Sequence, residues 1–486
     1  MVRQVLLLSC LLLNFQFLAV IGNRGQLLSR DTNTDNLQGL GWSRKAAEEA
    51  EAASKYQCSG HGYVFVDTDD TDEKGNPICE CNDCFTGPDC SQTVADCVAD
   101  VASGDPTFLE PFWIANAEAA ATVVTAWYRM SFRINDAAIP SAVSPALEKQ
   151  IRAIHALVGN AVTQGRYIVL GTGSTQLINA AINSLSDTNS SNPALVVAAA
   201  PSFGGFEEQT ELFDSRDNLW KGDANAWTKR TKKLNSTTFI EFVTYPNNPD
   251  GILEEAALEG ENVRTVNDHT YYWPHFTAIT HPADEDIMLF TISKLTGHAG
   301  SRLGWAIIKD YDVYQKIYQY VQSNTLGVSH DTQLRATRLL KAITDGYGKT
   351  QKMEDVNTDK KQLLFHYSYP VMRNRWERIE RIFNSSDRFS IQRLEPAYCN
   401  FFKKVTGPSP DKFLSFEKIS AYAWVKCKRE EEGNCTAVLE SAKITGQSGQ
   451  AFGVANRHIR LSLIKREDNF ILLERRLQNL VWYNDT

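Results

Sequence analysis

Apolar and polar positions divide the chain into stretches of different period. Val5 through Val20 is almost wholly apolar, broken by Ser9, Cys10, Asn14 and Gln16. Ser43–Lys55 is rich in Ala and Glu, the make-up of a surface helix with a serine cap. Leu147, Ile151, Ile154 and Val158 then recur at helical spacing. Beyond them strands and helices alternate. Tyr167–Leu170 reads as a strand, Gly171–Ser174 as a turn and Thr175–Ser184 as a helix; Ala194–Ala200, Phe239–Thr244, Met288–Thr291 and Trp305–Ile308 read as further strands. These runs are apolar enough to be buried on both faces, as parallel strands are. The pattern predicts an α/β fold, a large wound sheet with helices on both sides. Long helices are expected between Tyr311 and Ser386. Strand candidates Tyr398–Lys403, Ala421–Lys426 and His458–Ile464 then predict a smaller α+β domain at the C-terminal end.

The first apolar run follows Arg3 and is short for a bilayer span, and no basic cluster follows it. It is expected to be a signal peptide over residues 1–22, with trimming of a propeptide to about residue 38 as an option. The remaining expected divisions are 43–98, 99–370 and 371–486. A signal peptide implies an oxidising route, and cysteine placement agrees. Cys58, Cys79, Cys81, Cys84, Cys90 and Cys97 crowd a glycine-containing stretch poor in core formers, which needs covalent staples to hold a shape. Zinc is the competing use of Cys81 and Cys84, whose spacing is knuckle-like. Cys427 and Cys435 are close enough to close a hairpin. Cys399 is the odd one out once Cys10 leaves with the leader, and beside Tyr398, Phe401 and Phe402 it reads as a buried thiol. Glycan acceptor triplets begin at Asn189, Asn235 and Asn384, with weaker ones at Asn434 and Asn484.

With 43 % hydrophobic and 22 % charged residues, the 486-residue chain is globular, and its formal charge of −8 argues against a nucleic-acid partner. No second apolar run suggests a membrane span. A small anionic ligand stays open, because a local basic pocket does not show in the sum.

Four segments carry candidate chemistry. Gly171-Thr172-Gly173-Ser174-Thr175-Gln176 joins a strand to a helix. Glycines permit the turn, and the helix N-terminus presents free N–H groups suited to phosphate, although such a turn also serves structure alone. Thr291-Ile292-Ser293-Lys294 ends an apolar strand, where ligands of open α/β sheets gather. A lysine there is either a solvated strand end or a reactive amine, and Arg302 follows eight residues later. Asp268-His269-Thr270-Tyr271 offers a carboxylate and a phenol, while Tyr245-Pro246-Asn247-Asn248-Pro249-Asp250-Gly251 is turn-like. Phosphate cradle, amine, carboxylate and oxyanion partner together are what pyridoxal phosphate requires.

At these residues the chain resembles the alliinase family, plant cysteine-sulfoxide lyases related to the tryptophan aminotransferases. The resemblance runs from about residue 43 to the end. It is carried by the glycine turn, Asn248-Pro249-Asp250-Gly251, Ser293-Lys294-x-Thr296-Gly297-His298-Ala299-Gly300-Ser301-Arg302 and the cysteine module. It implies a fold-type-I pyridoxal 5′-phosphate enzyme with an EGF-like module. The homodimer it implies has its active sites between subunits, and a vacuolar or otherwise extracellular destination follows. Lys294 would be the Schiff-base lysine. Asp268 would face the pyridine nitrogen, Asn248 and Tyr271 the 3′ oxygen, and Phe203 the ring. Gly173, Ser174, Thr291, Ser293 and Arg302 would hold the phosphate, while Arg460, Ser103 and Gly104 would meet the substrate. The implied disulfides are Cys58–Cys79, Cys81–Cys90, Cys84–Cys97 and Cys427–Cys435. Two positions depart from the family: Phe132 and Phe203 stand where tyrosines are common.

The implied reaction is β-elimination from S-alk(en)yl-L-cysteine S-oxides to a sulfenic acid, pyruvate and ammonia. An aminotransferase acting on an L-amino acid such as tryptophan shares every one of these groups. A cofactor-free glycoprotein that binds proteins, lectins or glycans through its cysteine module is the remaining alternative.

Overall fold

The computed structural model describes residues 41–68, 70–133, 143–186, 192–229, 237–350, 362–402 and 418–483. The expected signal peptide with Cys10, and acceptors Asn189, Asn235 and Asn484, lie outside them. Contacts divide the chain into Met1–Ala52 and Ala53–Thr486. The helix Gly41–Ser54, which runs past the boundary at Ala52, begins before Ser43, which therefore sits within its first turn instead of capping it; no residue of the helix is buried.

In the second unit seven strands form one sheet: β1 (Tyr167–Gly171), β2 (Ala194–Ala198), β3 (Asn218–Asp223), β4 (Phe239–Thr244), β5 (Val263–Asp268), β6 (Ile287–Thr291) and β7 (Gly304–Ile308). Their order is β1-β7-β6-β5-β4-β2-β3. The run from β6 to β3 is parallel, and β7 is antiparallel to both its neighbours. Every residue of β4, β6 and β7 is buried, which is why they read as apolar runs. β3 and β5 are not among the strands that the apolar runs predict. β3 is an edge strand whose residues alternate between buried and open, and Arg264, Thr265 and Asn267 interrupt β5.

Helices cover both sheet faces. On one, α1 (Pro145–Val158) starts on a proline and ends at Gly159 with φ +74°, burying Leu147, Ile151, Ile154 and Val158. On the other, α2 (Gly173–Leu185) packs Leu177, Ile178 and Ile182 beside Ile317 and Val321 of α3 (Tyr311–Thr325). α4 (His330–Thr350) and α5 (Leu364–Asn384) follow, and the division expected after residue 370 falls inside α5.

The C-terminal sheet is antiparallel and has four strands, Phe389–Ile391, Tyr422–Cys427, His458–Ser462 and Gln447–Ser448. The strand expected at Tyr398–Lys403 is not formed: Asn400–Phe402 is helical. Phe401 and Phe402 are both buried, against Phe365 and Tyr369 respectively. A strand would send these neighbours to opposite faces.

The four implied disulfides are present, and Cys399 is a buried free thiol. Cys81 and Cys84 are thus occupied by Cys90 and Cys97, which removes the zinc reading. The cysteine module rests on α6 (Glu467–Gln478): Asp468 takes His61 at 3.0 Å and Asn82 at 2.8 Å, and Asn469 donates to Asp83 at 2.7 Å. Past Cys97, Ala99–Asp100 pairs in parallel with Ile444–Thr445, and this clip delivers Ser103 and Gly104 to the sheet's C-terminal end. Among the described residues no helix is long and apolar enough to cross a membrane.

Candidate active site

Three strand ends meet in register, Gly171 of β1, Gly304 of β7 and Thr291 of β6. Gly304 admits no side chain, since a Cβ there would lie 2.7 Å from the backbone nitrogen of Ser174. β1 can therefore turn directly into α2, whose N-terminus is the positive end of the helix dipole. Gly173 has φ +72°, and a Cβ on it would come 2.3 Å from a terminal nitrogen of Arg302. Arg302 itself has φ +47°, an uncommon conformation for a side-chain-bearing residue. It brings the guanidinium over the glycine turn, where Nη1 also donates to Ala299 O at 3.0 Å. Thr291 Oγ1 accepts from Ser293 N at 3.1 Å, capping the short helix Ile292–Leu295 that carries Lys294. Helix N-terminus, guanidinium and paired hydroxyls form an anion cradle.

Lys294 is half-buried, and its Nζ donates to Gly104 O and lies 5.8 Å from the Tyr271 ring centre. Its backbone is fixed by buried His275, whose Nε2 faces Lys294 O at 3.1 Å. Burial pushes His275 down to about 3, so the ring is neutral.

Asp268 ends β5 and is buried. Its Oδ1 accepts from Thr270 N at 3.0 Å and from the Thr270 hydroxyl. Burial raises its pKa, opposed by those bonds and more weakly by Lys294. Thr244, its register partner on β4, has a buried hydroxyl with no hydrogen-bond partner. Tyr271 is buried with its hydroxyl bonded to that of Tyr422. Burial first, then Tyr422, push its pKa well above the ordinary phenol range.

Arg460 is buried beneath these groups. Nη1 donates to Asn248 Oδ1 at 3.0 Å, Nη2 donates to Ala102 O at 2.7 Å, and Nε has no partner. Its guanidinium lies 4.1 Å from the Tyr422 ring centre and 5.1 Å from that of Phe452. Phe452 O takes the backbone N–H of Ser202, which ties the loop carrying Phe203 to this corner. Phe203 packs edge-on to Phe206 at 5.6 Å.

The arrangement fits pyridoxal phosphate on its own terms. The glycine turn beneath a guanidinium suits a phosphate, a buried carboxylate suits a protonated ring nitrogen, and the unpaired Nε leaves Arg460 capacity for a carboxylate. Gly104, Gly173, Ser174, Asn248, Asp268, Tyr271, Thr291, Ser293, Lys294, Arg302 and Arg460 all lie at this end of the sheet. Ser103 does as well, with its hydroxyl 3.2 Å from Asp105. Phe132 is exposed, with Arg133 near its ring. Tyr422 and Thr270 were missed. Tyr422 lies two residues from Trp424, the register partner of Arg460, so pairing the two C-terminal strand candidates would have exposed it as a diagonal neighbour. A separate cavity of about 800 Å3, walled by Glu254, Thr265, Asn267 and Glu285, includes none of these site residues.

The family profile described as Allinase matches residues 99–481, and the alliinase EGF-like domain matches residues 41–97. Tryptophan aminotransferase-related protein 4 of Arabidopsis thaliana is 44 % identical, over 91 % of each chain. An alliin lyase of Allium cepa var. aggregatum is 45 % identical, over 88 % of this chain and 91 % of its own. A Staphylococcus aureus aminotransferase structure shares the fold with a TM-score of 0.54 at 18 % identity, covering 79 % of this chain and 93 % of its own. These matches set aside the cofactor-free binding module. The chain belongs to the alliinase family, pyridoxal-phosphate enzymes with an EGF-like module ahead of an aminotransferase-type fold.

Proposed function

We propose that this enzyme is a carbon–sulfur lyase that cleaves S-alk(en)yl-L-cysteine S-oxides to a sulfenic acid, pyruvate and ammonia. The reading is carried by the 45 % identity to an alliin lyase over 88 % of this chain, and Lys294 Nζ, held between Tyr271 and the Gly104 carbonyl, supplies the amine it needs. Bound at this site, pyridoxal phosphate supplies an electron sink for the substrate Cα. Arg460 binds the substrate carboxylate and so sets which Cα bond faces Lys294. Lys294 Nζ takes the Cα proton as general base. The Cβ–S bond then breaks with its electron pair leaving on sulfur, and hydrolysis of the released enamine gives pyruvate and ammonia. Asp268 would face the protonated ring nitrogen, while Tyr271 and Asn248 would serve the 3′ oxygen. Gly173, Ser174, Thr291, Ser293 and Arg302 would hold the phosphate, and the Phe203 ring would cover the cofactor face.

A second reading, transamination of an L-amino acid such as tryptophan, is favoured by the relatives named as tryptophan aminotransferase-related proteins. Supplying cysteine S-oxides and tryptophan with and without an α-keto acid separates the two. Pyruvate released without an acceptor supports the lyase, and acceptor-dependent product with no pyruvate overturns it. Lys294→Ala is expected to abolish turnover and the borohydride-sensitive visible absorbance together.

The subunits are proposed to pair as a homodimer, with support from exposed Trp127, Met130 and Phe132 in the segment ahead of α1. The apolar leader supports passage through the secretory pathway to the vacuole, with secretion as the alternative. Exposed Asn384 at the end of α5 is the described acceptor best placed for a glycan, through which lectin contacts would run.

A further inference from the structure

Tyr422 stands where the proposed cofactor and substrate groups converge. Its hydroxyl bonds to that of Tyr271, and its ring lies 4.1 Å from the Arg460 guanidinium. The backbone of Gly104 packs so closely that a Cβ there would come 2.4 Å from the Tyr422 hydroxyl and 3.3 Å from Lys294 Nζ. Tyr422 is buried on the strand Tyr422–Cys427 and held by its neighbour, since Gln392 donates to Tyr422 O at 2.8 Å.

We propose that Tyr422 is a positioning residue with two separable roles: its hydroxyl orients and strengthens Tyr271 as a donor to the cofactor's 3′ oxygen, and its ring seats Arg460 for the substrate carboxylate. This rests on the cofactor reading above. The charged and titratable groups facing the phenol pair are Asp268 from the end of β5, Lys294 from the turn after β6 and Arg460 from the C-terminal sheet. Two hydroxyls that share one hydrogen bond have a choice of donor. An oxyanion at Tyr271 removes that choice: Tyr271 donates to the oxyanion, so Tyr422 donates to Tyr271. Hydrogen bonds in such a chain strengthen one another. A stronger donor stabilises the 3′ oxygen most when the lysine-bound nitrogen has lost its proton, so it lowers the pH at which that proton leaves.

The test is a pH titration of the visible absorbance of the lysine-bound cofactor in wild-type and variant holoenzymes. In Tyr422→Phe the midpoint is expected to rise by roughly 0.5–1 pH unit, the effect of one hydrogen bond. In a Tyr271→Phe background the same change is expected to add nothing. An unmoved or lowered midpoint, or an equal rise without Tyr271, overturns the hydroxyl's role. Tyr422→Phe keeps the ring and is expected to leave KM near wild type. Tyr422→Leu removes it and is expected to raise KM roughly 5- to 30-fold; equal KM values in the two variants overturn the ring's role. A wild type without a borohydride-sensitive band overturns the cofactor reading and this proposal together, whereas a normal band with unmoved variants overturns this proposal alone.

Discussion

The Arg302 guanidinium lies against Gly173 so closely that a methyl group at position 173 would stand 2.3 Å from its Nη2. Hydrogen is the only substituent this approach admits, and φ +72° independently favours glycine. Gly173→Ala is therefore expected to push Arg302 off the anion cradle while leaving α2 formed. Loss of one charge-assisted hydrogen bond costs about 1.5–3 kcal/mol, or roughly a 10- to 150-fold rise in the Kd for pyridoxal phosphate. Absorbance titration of the cofactor-free protein measures it. Unchanged affinity would separate Arg302 from phosphate binding.

Asp268 supplies a test that needs no turnover. Its folded-state pKa is raised chiefly by burial. The folded, cofactor-free chain therefore keeps a proton that the unfolded chain releases near the ordinary value of about 3.9. Stability is fully present below that value and declines as pH rises towards the folded-state pKa. Asp268→Asn removes the cost of ionising a buried carboxyl. The cofactor-free variant is expected to melt roughly 2 °C or more above wild type at pH 7, with the gap closing towards pH 4. The same change should weaken turnover, because asparagine cannot hold the ring proton by charge. A gap that widens on acidification would contradict the assignment.

Legibility in the sequence followed burial. β4, β6 and β7 stood out because every one of their residues is buried. The strand that carries Asp268 did not, since Arg264 is exposed and Thr265 and Asn267 break the apolar run. Lys294, Arg302 and Asp268 were readable from short local segments, and the resemblance joined them into one cofactor site. Tyr422 has no local signature at all: its surroundings come from Gly104, Tyr271 and Arg460, three segments distant in sequence and joined only by the fold. Phe401 and Phe402 misled for the opposite reason. Their β-favouring composition was overridden by a core that takes both rings from a helical turn.

Cys399 is expected to be chemically silent in the native protein. Its sulfur sits 3.4 Å from Ile279 N, and burial pushes the thiol's pKa up, so little thiolate forms at neutral pH. In a chain starting at Gly41, Ellman's reagent should find no thiol under native conditions and a single one after unfolding without reductant. A rapidly reacting native thiol would mean this corner opens in solution.

The cysteine module should influence the site through its anchorage on α6, to which Asp468 contributes two hydrogen bonds. Asp468 accepts from both His61 and Asn82. It thereby helps fix the module to α6 beside the Asn469–Asp83 bond, and Arg476 of the same helix donates to Cys97 O at 3.0 Å. From Cys97 the chain runs through the clip at Ala99–Asp100 to Ala102, whose carbonyl holds Arg460, and on to Gly104, whose carbonyl holds Lys294. Loosening the module therefore loosens the loop that orients both groups. Asp468→Ala removes two hydrogen bonds, each contributing about 0.5–1.5 kcal/mol. It is expected to speed proteolytic cleavage between Tyr56 and Cys97 and to raise KM several-fold, with the visible cofactor absorbance retained because the phosphate cradle is untouched. Faster cleavage with an unchanged KM would show that the clip alone, without the module's anchorage, positions Gly104.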